Sequence, residues 1–185
     1  GRRQWQTPTL ESACHGLPVD QAWRHIYEVA DALAWLHKHG LPHGNLRPGN
    51  VLLEDDAESS IRLTDIAQGW VGGIHHLELT DHFVHLCPDQ IENPDGVFAG
   101  YGPSWDVYAF GVLAYRLATG ALPFGNPATR LAMHRRLYAD PPPPRALAPP
   151  LAPWLQEAIL RCLEIRLEAR YATAAQLAHD LAHPE

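Results

Sequence analysis

One stretch of the sequence gathers polar side chains at spacings that could do chemistry: His43-Gly44-Asn45-Leu46-Arg47-Pro48-Gly49-Asn50, closed by the apolar run Val51-Leu52-Leu53. Further along stands the triplet Asp65-Ile66-Ala67. Asn50 and Asp65 bring hard oxygens, a carboxamide and a carboxylate, that could take part in chemistry. Asn50 fits a structural role equally, bonding the backbone of its own loop. Asn45 is a carboxamide, so it has no carboxylate with which to accept a proton and does not titrate in the neutral range.

A second group, His75, His76, His82, His85 and Cys87, brings metal-ligand types into one segment. Its spacings match no usual zinc pattern and the chain has no CxxC, so the expectation is solvated histidines. The prolines at 141–144 could be read by a polyproline-binding partner, but such a run is more often a stiff connector.

The elements that must position these residues follow from periodicity and punctuation. Thr9 can cap a short helix to about Cys14, which Gly16-Leu17-Pro18 breaks. Residues 19–39 predict a long amphipathic helix, with Ala22, Ile26, Val29, Ala30, Leu33, Leu36 and His37 on one stripe and Gly40 at its C-terminal stop. Residues 51–53 and 61–64 read as a β-hairpin across an acidic turn. Residues 65–88 read as a loop segment, and Gly and Pro at 93–103 as a surface excursion. Ser104 caps a helix over 104–119 whose apolar residues leave little polar face, which makes it the buried axis. Asn126-Pro127 starts a helix to about Tyr138, 151–164 is helical, and Thr173-Ala174-Ala175-Gln176 is a capping box for a last helix.

The 185 residues suffice for one domain with a real core, and 46% hydrophobic with 19% charged residues is a globular composition. A formal net charge of −7 argues against generic nucleic-acid or anionic-membrane binding. No apolar run is long enough for a bilayer, and the start lacks a signal-peptide pattern. Three widely spaced cysteines, Cys14, Cys87 and Cys162, favour a reducing, cytoplasmic setting over a disulfide framework. The chain begins with Gly1 rather than Met, so residues 1–8 read as a linker remnant of something longer and residues 9–185 as the domain.

The stretch from His43 to Asn50, with Asp65-Ile66-Ala67 behind it, resembles the catalytic loop and metal-binding tripeptide of eukaryotic-type protein kinases, H-R-D-L-x-x-x-N and D-F-G. Gly40-Leu41-Pro42-His43 precedes the loop as in that family. Cys87-Pro88-Asp89 resembles its A-P-E, and Ser104-Trp105-Asp106-Val107-Tyr108-Ala109-Phe110-Gly111 its D-x-W/Y-x-x-G helix start. Residues 163–170 with Tyr171 resemble its closing L-x-x-x-P-x-x-R, without the proline. The resemblance covers about residues 10–181 and implies a mainly α kinase C-lobe. In that fold, helices surround a buried central helix (104–119), with a small β-hairpin, a catalytic-loop equivalent (43–50) and an activation-segment equivalent (65–89). The sequence carries no Gly-rich loop, strand lysine or partner glutamate helix, so the N-lobe is expected to be absent.

The resemblance assigns roles residue by residue. Asn45 stands where the family has its proton-accepting Asp, and His43 and Arg47 belong to the same degenerate loop, Arg47 replacing a lysine at the transferring phosphate. Gly44 replaces the arginine that grips a phosphorylated activation segment, so Thr80 is not expected to regulate by phosphorylation. Asn50 and Asp65 become vestigial nucleotide and Mg²⁺ ligands, while Ala67 replaces a glycine. Asp89 and Arg170 match a structural ion pair, and Asp106 should accept backbone N–H bonds from the His43 loop. The expectation is a pseudokinase without phosphoryl transfer or cofactor, acting through protein partners, with no nucleic acid and no membrane insertion. The alternative is a low-activity serine/threonine-type kinase or nucleotide sensor, using Mg²⁺ and ATP, whose N-lobe lies outside this chain.

Overall fold

The long helix predicted from the apolar stripe is present. In the computed structural model, which describes residues 8–14, 18–54, 60–66, 83–93, 102–125 and 135–184, helix α2 spans Val19–Lys38. A short helix, α1 (Leu10–Ala13), precedes it. Ala22, Ile26, Val29, Ala30, Leu33 and Leu36 are all buried, so the three-and-four spacing becomes one core-facing stripe. The helix stops where Gly40 takes φ +73°, a left-handed conformation that costs an L side chain about 1–2 kcal/mol. Gly40 N–H then bonds the His37 carbonyl at 3.0 Å.

Strands β1 (Val51–Leu53) and β2 (Ile61–Leu63) pair antiparallel with Val51 opposite Leu63 and Leu53 opposite Ile61. The hairpin is tied to the chain start by an isolated bridge between Thr9 and Leu52. Thr9 occupies the N-cap position of α1, but its side chain makes no cap bond. Instead its carbonyl accepts from the Ser12 N–H and hydroxyl.

Beyond the hairpin come α3 (Pro88–Glu92), α4 (Gly102–Thr119), α5 (Pro144–Leu147), α6 (Pro153–Cys162) and α7 (Ala174–Ala182). Helix α4 is the buried axis, with 13 of its 18 residues buried. It packs against α2 and α6, and α2 packs against α7. Gly111 makes the α4–α6 approach possible, because a Cβ there would lie 2.7 Å from Cys162 Cβ and 3.0 Å from Leu163 Cγ.

Several boundaries differ from the sequence expectations for local reasons. Helix α4 begins at Gly102, not Ser104, because Pro103 is tolerated in a first turn whose amides need no intrahelical acceptor. Ser104 therefore lies inside the helix, is not its cap, and its hydroxyl is buried without a hydrogen-bond partner. For the same reason Gly102 and Pro103 belong to the helix rather than to a surface excursion. The proline run is not extended throughout, since Pro144 opens α5. The helix expected over 151–164 is the shorter α6, started by Pro153 in its first turn. The capping box at Thr173 forms: its side chain accepts from Gln176 N–H at 3.2 Å, while Gln176 Oε1 accepts from Ala172 N–H. Of the helix expected from Asn126, the described part, Arg135–Leu137, is a 3₁₀ turn. Cys14, Cys87 and Cys162 are free and buried. Among the described residues no helix is long and apolar enough to cross a membrane.

Candidate functional site

The candidate loop lies between the end of α2 and β1, and α4 holds it. Asp106, 1% exposed, accepts from His43 N–H at 2.6 Å through Oδ2 and from Gly44 N–H at 2.7 Å through Oδ1. Its Oδ2 also lies 2.8 Å from His37 Nε2. One carboxylate on the buried axis thus gathers the last turn of α2 and the first amides of the loop. The sequence pointed to the amides; it gave no sign of His37, which its stripe position presented as a core side chain.

Within the loop, His43 is fully buried and its Nδ1 accepts from Asn45 N–H at 3.3 Å. Burial pushes the imidazole's pKa below its ordinary value, against the opposing pull of Asp106. Gly44 takes φ +71°, so the residue type suits the backbone as well as removing a guanidinium. Asn50, 1% exposed, donates from Nδ2 to the Asn45 carbonyl at 2.8 Å. Its carbonyl accepts from Thr64 N–H at 2.9 Å. Asn50 therefore staples the loop to itself and to the residue before Asp65. Arg47 is half-buried, and its Nε lies buried without a hydrogen-bond partner.

Asp65 is exposed and takes φ +57°, the one positive φ among described non-glycine residues. A left-handed backbone at an Asp costs about 1–2 kcal/mol unless its surroundings hold it. Ala67 lies outside the described residues. Of the two residues, Asp65 offers an exposed carboxylate and Asn50 offers Oδ1 alone, its amide nitrogen being committed to the Asn45 carbonyl. Among the described residues no three His, Cys, Asp or Glu side chains gather to hold a metal ion. Such a pair fits a hard cation only in company with phosphate oxygens.

The end of the 65–89 segment is anchored by two arginines. Arg170 Nη2 donates to Asp89 Oδ1 at 2.6 Å, while Trp105 Nε1 donates to Asp89 Oδ2 at 2.6 Å. Arg170 also donates to the carbonyls of Glu164 and Ile165, and its guanidinium lies 5.0 Å from the Tyr108 ring centre. The ion pair is thus one corner of a network joining α3, α4 and the turn before α7. The second arginine, Arg136, is 2% exposed and donates to the carbonyls of Leu86 at 3.1 Å and Val84 at 2.6 Å. Sequence reasoning missed it, since nothing local marks an arginine that will be drawn into the core by carbonyls fifty residues earlier. The bidentate pair of Arg116 with Glu11 was missed for the same reason.

The histidine-rich segment divides. His75, His76 and His82 lie outside the described residues, as does Thr80. His85 is not solvated: it is 5% exposed, and burial pushes its pKa down to about 3, with the nearby cations Arg136, Arg116 and Arg47 acting the same way. Cys87 is fully buried and its thiol is pushed up by burial. A neutral buried imidazole and a protonated thiol are packing groups here.

Comparison with known proteins gives the same outline. The family model described as the protein kinase domain matches residues 7–182. The chain is 34% identical over 155 residues to the serine/threonine-protein kinase PknL of Mycobacterium tuberculosis, covering 83% of this chain and 38% of that protein. It is 28% identical over 158 residues to the serine/threonine-protein kinase Pkn1 of Myxococcus xanthus, covering 84% of this chain and 23% of that protein. This chain spans well under half the length of those relatives. Among solved structures, Rad53 1-466 in complex with AMP-PNP superposes with a TM-score of 0.71 at 24% identity, over 97% of this chain and 44% of that one.

Proposed function

The chain belongs to the protein kinase domain family, and on that premise we propose that it is a pseudokinase C-lobe that does not transfer phosphoryl groups and acts through contact with a protein partner. The observation that carries this reading is Asn45. A carboxamide stands at the position of the proton-accepting carboxylate, while the bonds that hold the loop in shape, from Asp106 and Asn50, are intact. A loop braced but without its base suits a scaffold. Neither ATP nor Mg²⁺ is part of this reading.

A second reading rests on Asp65. Its left-handed backbone and the retained Asn50 favour a nucleotide sensor or weak serine/threonine-type kinase, in which Asn50 and Asp65 would hold Mg²⁺ once phosphates from an N-lobe-bound nucleotide were supplied. The test is a calorimetric titration of this chain with ATP, with and without Mg²⁺, together with labelled-ATP incubation of the wild type and Asn45→Asp. The expected result is no binding and no transfer by either protein. A micromolar dissociation constant would favour the second reading, and transfer by Asn45→Asp above the wild-type background would overturn the first.

A further inference from the structure

We propose that the end of α7 carries a binding site for a divalent transition-metal ion, which His179 and His183 hold through their imidazoles while water completes the shell. The sequence spaces the two histidines as H-x₃-H, the separation at which zinc-binding histidine pairs stand on one face of a helix. Both residues are exposed, and their rings lie side by side with centres 4.6 Å apart and planes tilted by 32°.

The backbone decides which nitrogen of His183 an ion can take. Its Nδ1 lies 3.1 Å from the His179 carbonyl oxygen. A carbonyl can only accept, so Nδ1 carries a hydrogen and Nε2 is the nitrogen left for a ligand. A ring N–H held by a backbone carbonyl is also how metal-binding imidazoles are commonly oriented. The His179 ring makes no hydrogen bond among the described residues, so it is free to turn toward a shared ion.

The surroundings favour a cation. The pair lines a cleft of about 410 Å³ between α6 and α7, together with Glu157, Arg161 and Asp180. Two carboxylates against one guanidinium leave one negative charge on this wall. Arg161 is engaged by Asp180 at 3.6 Å and lies over the Tyr171 ring, whereas the exposed Glu157 has no ion-pair partner among the described residues. The last carbonyls of α7 add the partial negative charge of a helix C-terminus. Imidazole nitrogen selects zinc, copper or nickel over the hard cations magnesium and calcium. Two protein ligands, with no third gathered among the described residues, make an open and exchangeable site rather than a closed structural centre. An ion shared by the pair pins His183, the residue after α7, to the helix's last turn. This inference is independent of whether the chain transfers phosphoryl groups.

The test is an NMR titration of the ¹⁵N-labelled chain with zinc chloride, and with magnesium chloride as the hard-cation control. The expected result is saturable movement of the His179 and His183 ring nitrogens with zinc and none with magnesium. The chain has twelve histidines, so two variants assign the site. His179→Ala and His183→Ala should each weaken zinc binding at the remaining ring at least tenfold. Both positions are exposed, so the zinc-free urea midpoints should stay near that of the wild type. Zinc should raise the wild-type midpoint more than that of either variant. An undiminished affinity at the remaining ring in either variant, an equal response to magnesium, or no saturable movement of these two rings each overturns the proposal.

Discussion

Removing the Asp106 carboxylate should destabilise this protein far more than removing the Asn45 side chain, although Asn45 sits at the centre of the loop. Asp106→Ala leaves two buried backbone amides, those of His43 and Gly44, without their acceptors, and strips His37 Nε2 of its partner. Each buried donor left unpaired costs about 1–3 kcal/mol. Water reaching the loop amides will recover part of this, so the expected loss is about 3–5 kcal/mol. That is a large share of the roughly 5–15 kcal/mol that holds a domain folded. Asp106→Asn keeps the shape but turns one oxygen into a donor facing a donor, and should lose about 1–3 kcal/mol. The hydrogen bonds described for Asn45 use its backbone N–H and carbonyl, which Asn45→Ala keeps. Its cost should stay within about 0.5 kcal/mol. Urea denaturation followed by the fluorescence of the six tryptophans ranks the three variants. If Asn45→Ala proved as costly as Asp106→Asn, the assignment of Asp106 as the hub of the loop would be wrong.

Acid should loosen the fold earlier than carboxylate protonation alone predicts. The folded-state pKa of His85 is pushed from 6.5 to about 3 and that of His43 is also lowered, so both are neutral when folded and bind a proton when unfolded below pH 6.5. Their contribution is fully present above about pH 6.5 and is lost as pH falls toward the folded values, at about 1.4 kcal/mol per pH unit for His85. Urea midpoints at pH 8, 7, 6 and 5 should be level at first and then fall, and a flat profile to pH 5 would contradict the buried neutral imidazoles. Gly111→Ala should cost about 1–3 kcal/mol by forcing α4 and α6 apart at Cys162, read as a lowered melting temperature. Gly44→Ala should cost about 1–2 kcal/mol through its positive φ, with no change in the unfolding slope. Neither substitution bears on phosphoryl transfer, so an unchanged midpoint in either case would count against the backbone geometry alone.

What the sequence determined by itself was local or carried by order along the chain. The stripe of α2, the hairpin, the capping box at Thr173 and the glycine stop at Gly40 are set by neighbours three or four residues away, and each was readable. The ordered motifs from Gly40 to Tyr171 gave the kinase resemblance for the same reason. Boundaries failed where a first-turn proline could serve either as a break or as a start, at Pro103, Pro144 and Pro153. Only the tertiary structure decided which polar groups go inside. Arg136 and His85 look like surface residues in the sequence, yet Arg136 is held inside by carbonyls about fifty residues earlier, and His85 is buried where desolvation and nearby arginines keep its imidazole neutral. His37 looked like one more residue of an apolar stripe until α4 placed Asp106 against it, 69 positions away. A buried charge or imidazole is tolerated only where distant partners satisfy it, and partners at that separation leave no periodicity for a single sequence to show.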